Sequence, residues 1–400
     1  MKFFKTFFVV IIVFSSCVEE YNFQVLNTDE LLVVEATITD EYKHQEVTLS
    51  NTYSLKDSVS SFERNAKVTI EDLNGVVYDF QETNPGKYIS VNKFKAQINS
   101  KYFIKITRSN GNTYKSLTSN LTGIKKMDSI YAKRRINDFG VDGISIFVDS
   151  NDETNKSKFY RYEFVETNKV ILPYFSNLDL EIVSDVFPYE FRTIPKTEED
   201  RVCYREVNSK SVIQTTTLNL TADRVSKFEV NFLPGDDYFL IYGYSILVKQ
   251  YIQSYEAYSY YKTLNNQSIS SSNFSNVQPG FINGNVTSLN NPEEKVIGFF
   301  EVSSMSEKRI FFDYKDFYPT EPYPRFRFDC TLITPEIAKG HYPESSRSPL
   351  LEAIRQGDYV FYAINPDAYT TASQGPYLMV PKECSDCRTQ GTNIKPNYWN

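Results

Sequence analysis

Between residues 28 and 120 the chain repeats one pattern, a short run of alternating apolar and polar positions followed by a turn signal. LLVVEATITD, EVTLSNTY, AKVTIEDL, VVYDFQET, KYISV and KYFIKITRS are rich in β-branched and aromatic residues, and Asn74-Gly75, Asn84-Pro85-Gly86 and Asn110-Gly111 punctuate them. Period-two runs of these residue types predict half-buried strands. AKVTIEDLNGVVYDF reads as strand, Asn-Gly turn, strand. Several short strands at this spacing predict an Ig-like β-sandwich over residues 28–121.

Residues 122–400 read as a larger β-rich domain with one or two helices. ISIFVDS, KFYRYEFVE, SVIQTTTLNL, FLIYGYSILV, EKVIGFFEVSS and KRIFFDY are strand-like. VKQYIQSYEAYSYYKTL differs, because Val248, Tyr251, Ile252, Tyr255, Tyr258 and Lys262 recur at three- and four-residue steps with no Gly or Pro. That period predicts a helix near 248–264, with a tyrosine stripe serving as core or as a contact face. PLLEAIRQG predicts a second, short helix stopped by Gly357. The fold class expected is therefore mainly β.

The first 16 residues read as a lipoprotein signal peptide. Lys2 and Lys5 precede an unbroken apolar run from Phe7 to Phe14, then Ser15, Ser16 and Cys17. A run this short falls well below the roughly 20 residues a spanning helix needs. Cleavage before Cys17 would leave that cysteine as the lipid-attachment residue, with 17–27 as a tether. Phe14 stands where such signals usually have Leu. Glu19 and Glu20 look like an export signal to the cell surface rather than the periplasmic face. Removing the signal takes Lys+Arg from 43 to 41 against 50 Asp+Glu. An acidic chain has no electrostatic reason to seek nucleic acid.

Export changes the meaning of the cysteines. Beyond Cys17 there are four, Cys203, Cys330, Cys384 and Cys387, and three pairings are open. Disulfides persist in an oxidising compartment. A zinc site of four cysteines usually has two close pairs, and Cys203 and Cys330 are far apart. A redox CxxC needs a strand-to-helix junction, whereas this one opens a polar tail. Structural disulfides are the favoured reading, paired Cys384–Cys387 and Cys203–Cys330.

No catalytic motif stands out. His44 and His341 lack metal-ligand spacing, and neither a G-x-S-x-G elbow nor a phosphate-binding glycine loop occurs. Asp149, Asn151 and Glu153 faintly resemble a calcium loop, but Thr154 stands where the glycine is required. The expectation is no enzyme, no metal and no cofactor. Asp57-Ser58-Val59 and Asp128-Ser129-Ile130 match a short O-glycosylation acceptor pattern, making Ser58 and Ser129 candidates.

CVEEYNF, LLVVEATITD, SYEAYSYYKTL, QPGFINGNV, VIGFFEVSS, KRIFF and above all ECSDCRTQGTNIKPNYW carry a resemblance. From about Cys17 to Trp399 the chain resembles a Bacteroidetes family of outer-membrane lipoproteins that carries a domain-of-unknown-function label. Its members are commonly encoded beside TonB-dependent receptors. The resemblance implies a lipid-anchored accessory subunit whose partner is a TonB-dependent outer-membrane receptor, and it implies no activity. Tyr251, Tyr255, Tyr258, Tyr398 and Trp399 are the candidate interface. A secreted glycan-active hydrolase and a purely structural envelope protein are the alternatives.

Overall fold

The computed structural model describes residues 30–52, 61–272, 282–339, 347–368 and 374–399. Cys17, Ser58 and His341 lie outside them. The protein is mainly β, as its alternating pattern predicts. The N-terminal strands are β1 (Leu32–Thr39), β2 (Glu46–Asn51), β3 (Lys67–Asp72), β4 (Val77–Asn84), β5 (Lys87–Ser90), β6 (Lys101–Thr107), β7 (Thr113–Ser116) and β8 (Ser119–Asn120). Next come β9 (Ser129–Ile136), β10 (Asp142–Asn151), β11 (Phe159–Ile171), β12 (Leu178–Ser184), β13 (Glu190–Pro195), β14 (Val202–Asn208), β15 (Ile213–Thr216), β16 (Arg224–Pro234) and β17 (Tyr244–Gln253). Helix α1 (Tyr255–Ser272), β18 (Val286–Ser288), β19 (Ile297–Phe312), α2 (Tyr314–Phe317), α3 (Pro349–Gln356), β20 (Tyr359–Ile364) and β21 (Tyr377–Pro381) complete the order.

One sheet organises the molecule, in the order β14-β11-β17-β19-β1-β2-β5-β4-β3-β6-β7-β18. Its N-terminal half rolls around a core. Leu32, Val34, Ala36 and Ile38 of β1 point inward by strict alternation, meeting Val47, Leu49, Val68, Ile70, Tyr88 and Ile104. Each aliphatic side chain fully removed from water contributes about 1.5–3 kcal/mol. Residues 28–121 do not complete this unit, which corrects the expected boundary. β18 pairs with β7 and the first half of β19 pairs parallel to β1, bringing Val286, Phe300 and Val302 into the same core. Asn285 closes the roll, accepting from Phe300 N at 2.7 Å and donating to Phe300 O at 2.9 Å.

EKVIGFFEVSS and KRIFFDY, read as separate strands, form the single 16-residue β19. Ile297–Ser303 pairs with β1 on one edge, and Ser304–Phe312 pairs antiparallel with β17 on the other. On the second half, the sheet β16-β10-β9 packs over β11 and β17. Ile144, Ile146 and Val148 there meet Tyr160, Tyr162, Ile246 and Val248.

The helix expected at 248–264 begins later. Val248, Tyr251 and Ile252 belong to β17, where alternate residues Val248, Gln250 and Ile252 face the core. The helical period arose because a strand runs straight into a helix. Ser254 marks the change, its hydroxyl accepting from Ala257 N at 3.1 Å as an N-cap. The second expected helix is α3, with Ser348 as N-cap and Gly357 in the left-handed region (φ 76°) as its stop. It packs with β20, β21, β12 and β13 in a small layer around Leu350, Phe361 and Met379.

The expected cysteine pairing is also corrected. The disulfides are Cys203–Cys387 and Cys330–Cys384. The two cysteines of the CxxC do not bond each other, because short helical turns at Lys382–Cys384 and Cys387–Thr389 aim them at different segments. One reaches β14 and the other the stretch after α2.

Candidate functional site

The side chains that share one face of the long sheet are fixed by register. Across β11, β17 and β19 run Arg161–Tyr251–Met305, Glu163–Lys249–Glu307, Val165–Leu247–Arg309 and Thr167–Ser245–Phe311. Val33, Glu35 and Thr37 of β1 continue the same face beside Ile297, Phe299 and Glu301. The opposite face carries both cores, so this one is the outer face, and it mixes charged and hydroxyl side chains with apolar ones. Opposite charges stand directly across the strands at Glu163, Lys249 and Glu307, the arrangement that favours cross-strand pairing.

The two ends of this face are covered differently. At the far end lies the C-terminal tail. Thr392 exchanges two backbone hydrogen bonds with Tyr204 of β14, at 2.8 and 3.0 Å. The tail then lays Tyr398 and Trp399 on the sheet. The Tyr398 hydroxyl meets Thr167 at 2.9 Å and donates to Glu206, and the Arg309 guanidinium sits 3.7 Å from its ring centre. Trp399 packs edge-on to Tyr204 and Phe311, and lies against Gly243.

At the near end lies α1. Ala257 and Tyr260 pack on Phe299, and Tyr255 and Tyr258 pack on Phe159. Beneath the helix is a charged cluster sequence reading missed. Arg161 is 7 % exposed. It donates from Nη1 to Glu163 and from Nη2 to buried Glu301 at 3.3 Å. The rings of Tyr251 and Tyr261 stand 4.3 and 4.9 Å from its guanidinium, both within cation–π range. Tyr251 donates to Glu163 at 3.0 Å, and Ser303 donates to Glu301. Burial works against the guanidinium's charge, but Glu301, with Tyr261 and Glu163 behind it, outweighs burial and holds Arg161 protonated. Burial, reinforced by the charge of Glu163, pushes the Tyr251 phenol up, so it stays a donor at any physiological pH.

This cluster forms one wall of a cleft of about 680 Å³ where the two halves of the sheet meet. β1 and β2 form the second wall with Glu35, Thr37 and Thr48, and Asn208–Val212 closes one side. Clefts of this size at a junction between folding units are the usual place for a small ligand.

Residues 18–309 match the protein family described as a domain of unknown function (DUF4249). The chain belongs to the DUF4249 family. The match covers both halves of the outer face and ends within β19, before the disulfide-stapled tail. No curated protein is similar to this DUF4249 chain.

Of the residues singled out by sequence, the structure gathers Tyr251, Tyr255, Tyr258, Tyr398 and Trp399 on one face, at its two ends. Tyr251 is buried in the Arg161 cluster, whereas Tyr255 is 60 % exposed on α1. Ser129 opens β9 and its hydroxyl donates to Asp149 at 3.0 Å. The Asp149–Glu153 stretch is a turn in which Asp152 accepts from Thr154, Lys156 and Ser157. Among the described residues no group of three or more His, Cys, Asp or Glu is placed to hold a metal ion. Arg161, Glu163 and Glu301 had a faint signal, since FYRYEFVE and GFFEVSS set charges among aromatic residues in strands where alternation alone predicts none buried.

Proposed function

We propose that this DUF4249 protein is a non-catalytic lipoprotein of the outer membrane, displayed at the cell surface and acting as the accessory subunit of a TonB-dependent receptor. The observation that carries the reading is the N-terminal stretch, an apolar run ending in Ser15-Ser16-Cys17 and followed by Glu19 and Glu20. Acylation of Cys17 would confine the protein to the membrane plane and raise its effective concentration for a membrane partner. Two disulfides support an oxidising address outside the cytoplasm.

The fold supplies a plausible division of labour. β1 starts at the tethered end, and β19 runs from beside it for 16 residues, about 50 Å, toward the stapled layer. An Ig-like N-terminal roll would then act as the stalk, with the stapled tail held away from the tether. Tyr255, exposed on α1, is the strongest aromatic contact residue of those gathered there, because aromatic side chains bury large area at low entropy cost.

The test is crosslinking in intact cells, then purification in mild detergent through a tag on this chain. Co-purification of a TonB-dependent receptor is expected, weakened by Tyr255→Ala. Recovery of the lipoprotein alone, with the receptor present in the input, rejects the accessory role.

A further inference from the structure

The cleft beneath α1 holds a feature its own residues leave unfinished. Arg161 lines it, is more than nine-tenths buried, and has its two terminal nitrogens committed to Glu163 and Glu301. Its Nε–H has no hydrogen-bond partner among the described residues. A buried donor without a partner is destabilising, and because this nitrogen is closed off from water, an acceptor reaches it only by a shift of the Arg161 side chain. Beside it, the Glu163 side chain is 44 % exposed and presents carboxylate oxygen to solvent.

A donor and an acceptor so close together suit a group that both accepts and donates. A ligand hydroxyl does both, taking the Arg161 Nε–H on its oxygen and giving its own hydrogen to Glu163. The facing wall repeats this chemistry with Thr37 and Thr48, and Asn208 and Ser209 add further amide and hydroxyl groups. Tyr260 and Phe299 supply an apolar floor. Charge is nearly balanced: Glu35, Glu46, Glu163 and Glu301 stand against Arg161, Lys210 and Lys249. An anion would meet the carboxylates and a strong cation would meet the guanidinium and lysines.

A bound strand is disfavoured by topology. The wall strands β1 and β17 are each paired on both edges, β1 between β19 and β2, and β17 between β11 and β19. Strand addition needs free backbone groups at a sheet edge. The stretch Ile297–Ser303 of β19 is paired on one edge only, but Phe300 N and O there are already taken by Asn285, so recognition in this cleft rests on side chains.

We infer that the cleft between the Arg161–Glu163 pair and the Thr37–Thr48 wall is a binding site for a neutral saccharide of one or two rings. The cavity volume fits a ligand of that size. The inference rests on the cleft and does not depend on a receptor partner.

Saturation-transfer NMR and calorimetry on the full chain, with both disulfides intact, test it. The probes are glucose, galactose, mannose, xylose, N-acetylglucosamine, maltose, cellobiose and lactose, each at about 10 mM, where even a weak site is occupied. At least one should bind, and Glu163→Gln should weaken it about tenfold or more, as expected for loss of a charge-assisted bond. Glu163→Gln also removes a partner of buried Arg161, so its melting is compared with the wild type, and Thr48→Val on the facing wall, which leaves that pair intact, should weaken binding as well. Phe139→Ala, in the exposed turn between β9 and β10 and outside the cleft, should leave binding unchanged. Absence of transfer to every sugar overturns the inference, as does sugar binding indifferent to Glu163→Gln. Trialanine or glutarate binding in place of the sugars also overturns it, and assigns the cleft to a peptide or an anion.

Discussion

Breaking the two disulfides separately should produce two different losses, because they close loops of different length. Cys203–Cys387 spans 184 residues and Cys330–Cys384 spans 54. Chain-entropy arithmetic puts ceilings of about 5 and about 4 kcal/mol on their contributions. Measured values commonly fall below such ceilings, so the expected losses are about 2–5 kcal/mol for Cys203–Cys387 and about 2–4 kcal/mol for Cys330–Cys384, the first the larger. Paired replacements are needed, Cys203→Ala with Cys387→Ala, and Cys330→Ala with Cys384→Ala. Replacing Cys203 or Cys330 alone would free a cysteine three residues from its CxxC neighbour and invite the very bond the structure lacks. Urea unfolding gives the stability change. Peptide mapping without reduction tests the pairing itself. Trypsin has no site between Cys384 and Cys387, so both leave on ECSDCR. The observed pairing ties that peptide to VCYR, carrying Cys203, and to FDCTLITPEIAK, carrying Cys330, as one three-chain species. A second cut before Asp386 must then separate Cys387 with VCYR from Cys384 with FDCTLITPEIAK. A self-bonded ECSDCR beside a two-chain product would refute the reasoning, and so would a swap of partners after the second cut.

Gly298→Ala should destabilise the protein by more than about 3 kcal/mol in urea, because Gly298 has φ 139° and a Cβ there would stand 2.1 Å from Val34 O in the adjoining strand. A loss under 1 kcal/mol would mean that β1 and β19 are not so tightly apposed. Asp152 is partly opposed by burial, but hydrogen bonds from Thr154 and Ser157 hold its carboxyl at about 2, below its unfolded value near 3.9. Its contribution is therefore present above about pH 4 and lost as pH falls toward 2; the stability gap between wild type and Asp152→Asn should narrow over that window, and a constant gap argues against the turn. Cys17→Ser should move the protein from the membrane to the soluble fraction, and its retention on membranes would reject the lipid anchor.

The mainly-β character was legible because alternation is a local property. AKVTIEDLNGVVYDF became β3, an Asn-Gly turn and β4, with Gly75 at φ 87° as that turn requires. PLLEAIRQG likewise declared its stop at Gly357. What stayed hidden depended on distance along the chain. Nothing local to Val286–Ser303 says that it returns to a unit begun at Leu32, since pairing partners are chosen by the packed whole. The helix start was misplaced for a different reason. Val248, Tyr251, Ile252 and Tyr255 fit a helical period by coincidence, and only the capping chemistry of Ser254 distinguishes strand from helix there. The CxxC was read as a local staple because its cysteines are close in sequence, whereas backbone direction decides which sulfurs meet. The Arg161 cluster was the least legible, because it draws its members from β11, β17, β19 and α1.

β19 explains why the two halves of the sheet form one platform. Its first seven residues supply an edge of β1 and two core side chains of the N-terminal roll, Phe300 and Val302, and Val296 just before the strand adds a third. Its remaining residues supply the edge of β17. A cut between Ser303 and Ser304 would leave Ile297–Ser303 on β1 but sever Ser304–Phe312 from it, so that β17 would keep this neighbour by non-covalent pairing alone. The outer-face cleft exists because of the same crossing. β1 and β17 flank β19 on opposite edges, so the sheet changes neighbours at Ser303, and Arg161 reaches Glu301 across that change. A buried ion pair at such a place is costly to desolvate and strongly destabilising to break on one side. It holds the two halves in register while leaving the Glu163 carboxylate partly exposed beside the cleft. The residues that join the halves are therefore the same ones that would read a ligand, and occupancy of the cleft would bear directly on how firmly the halves are held together.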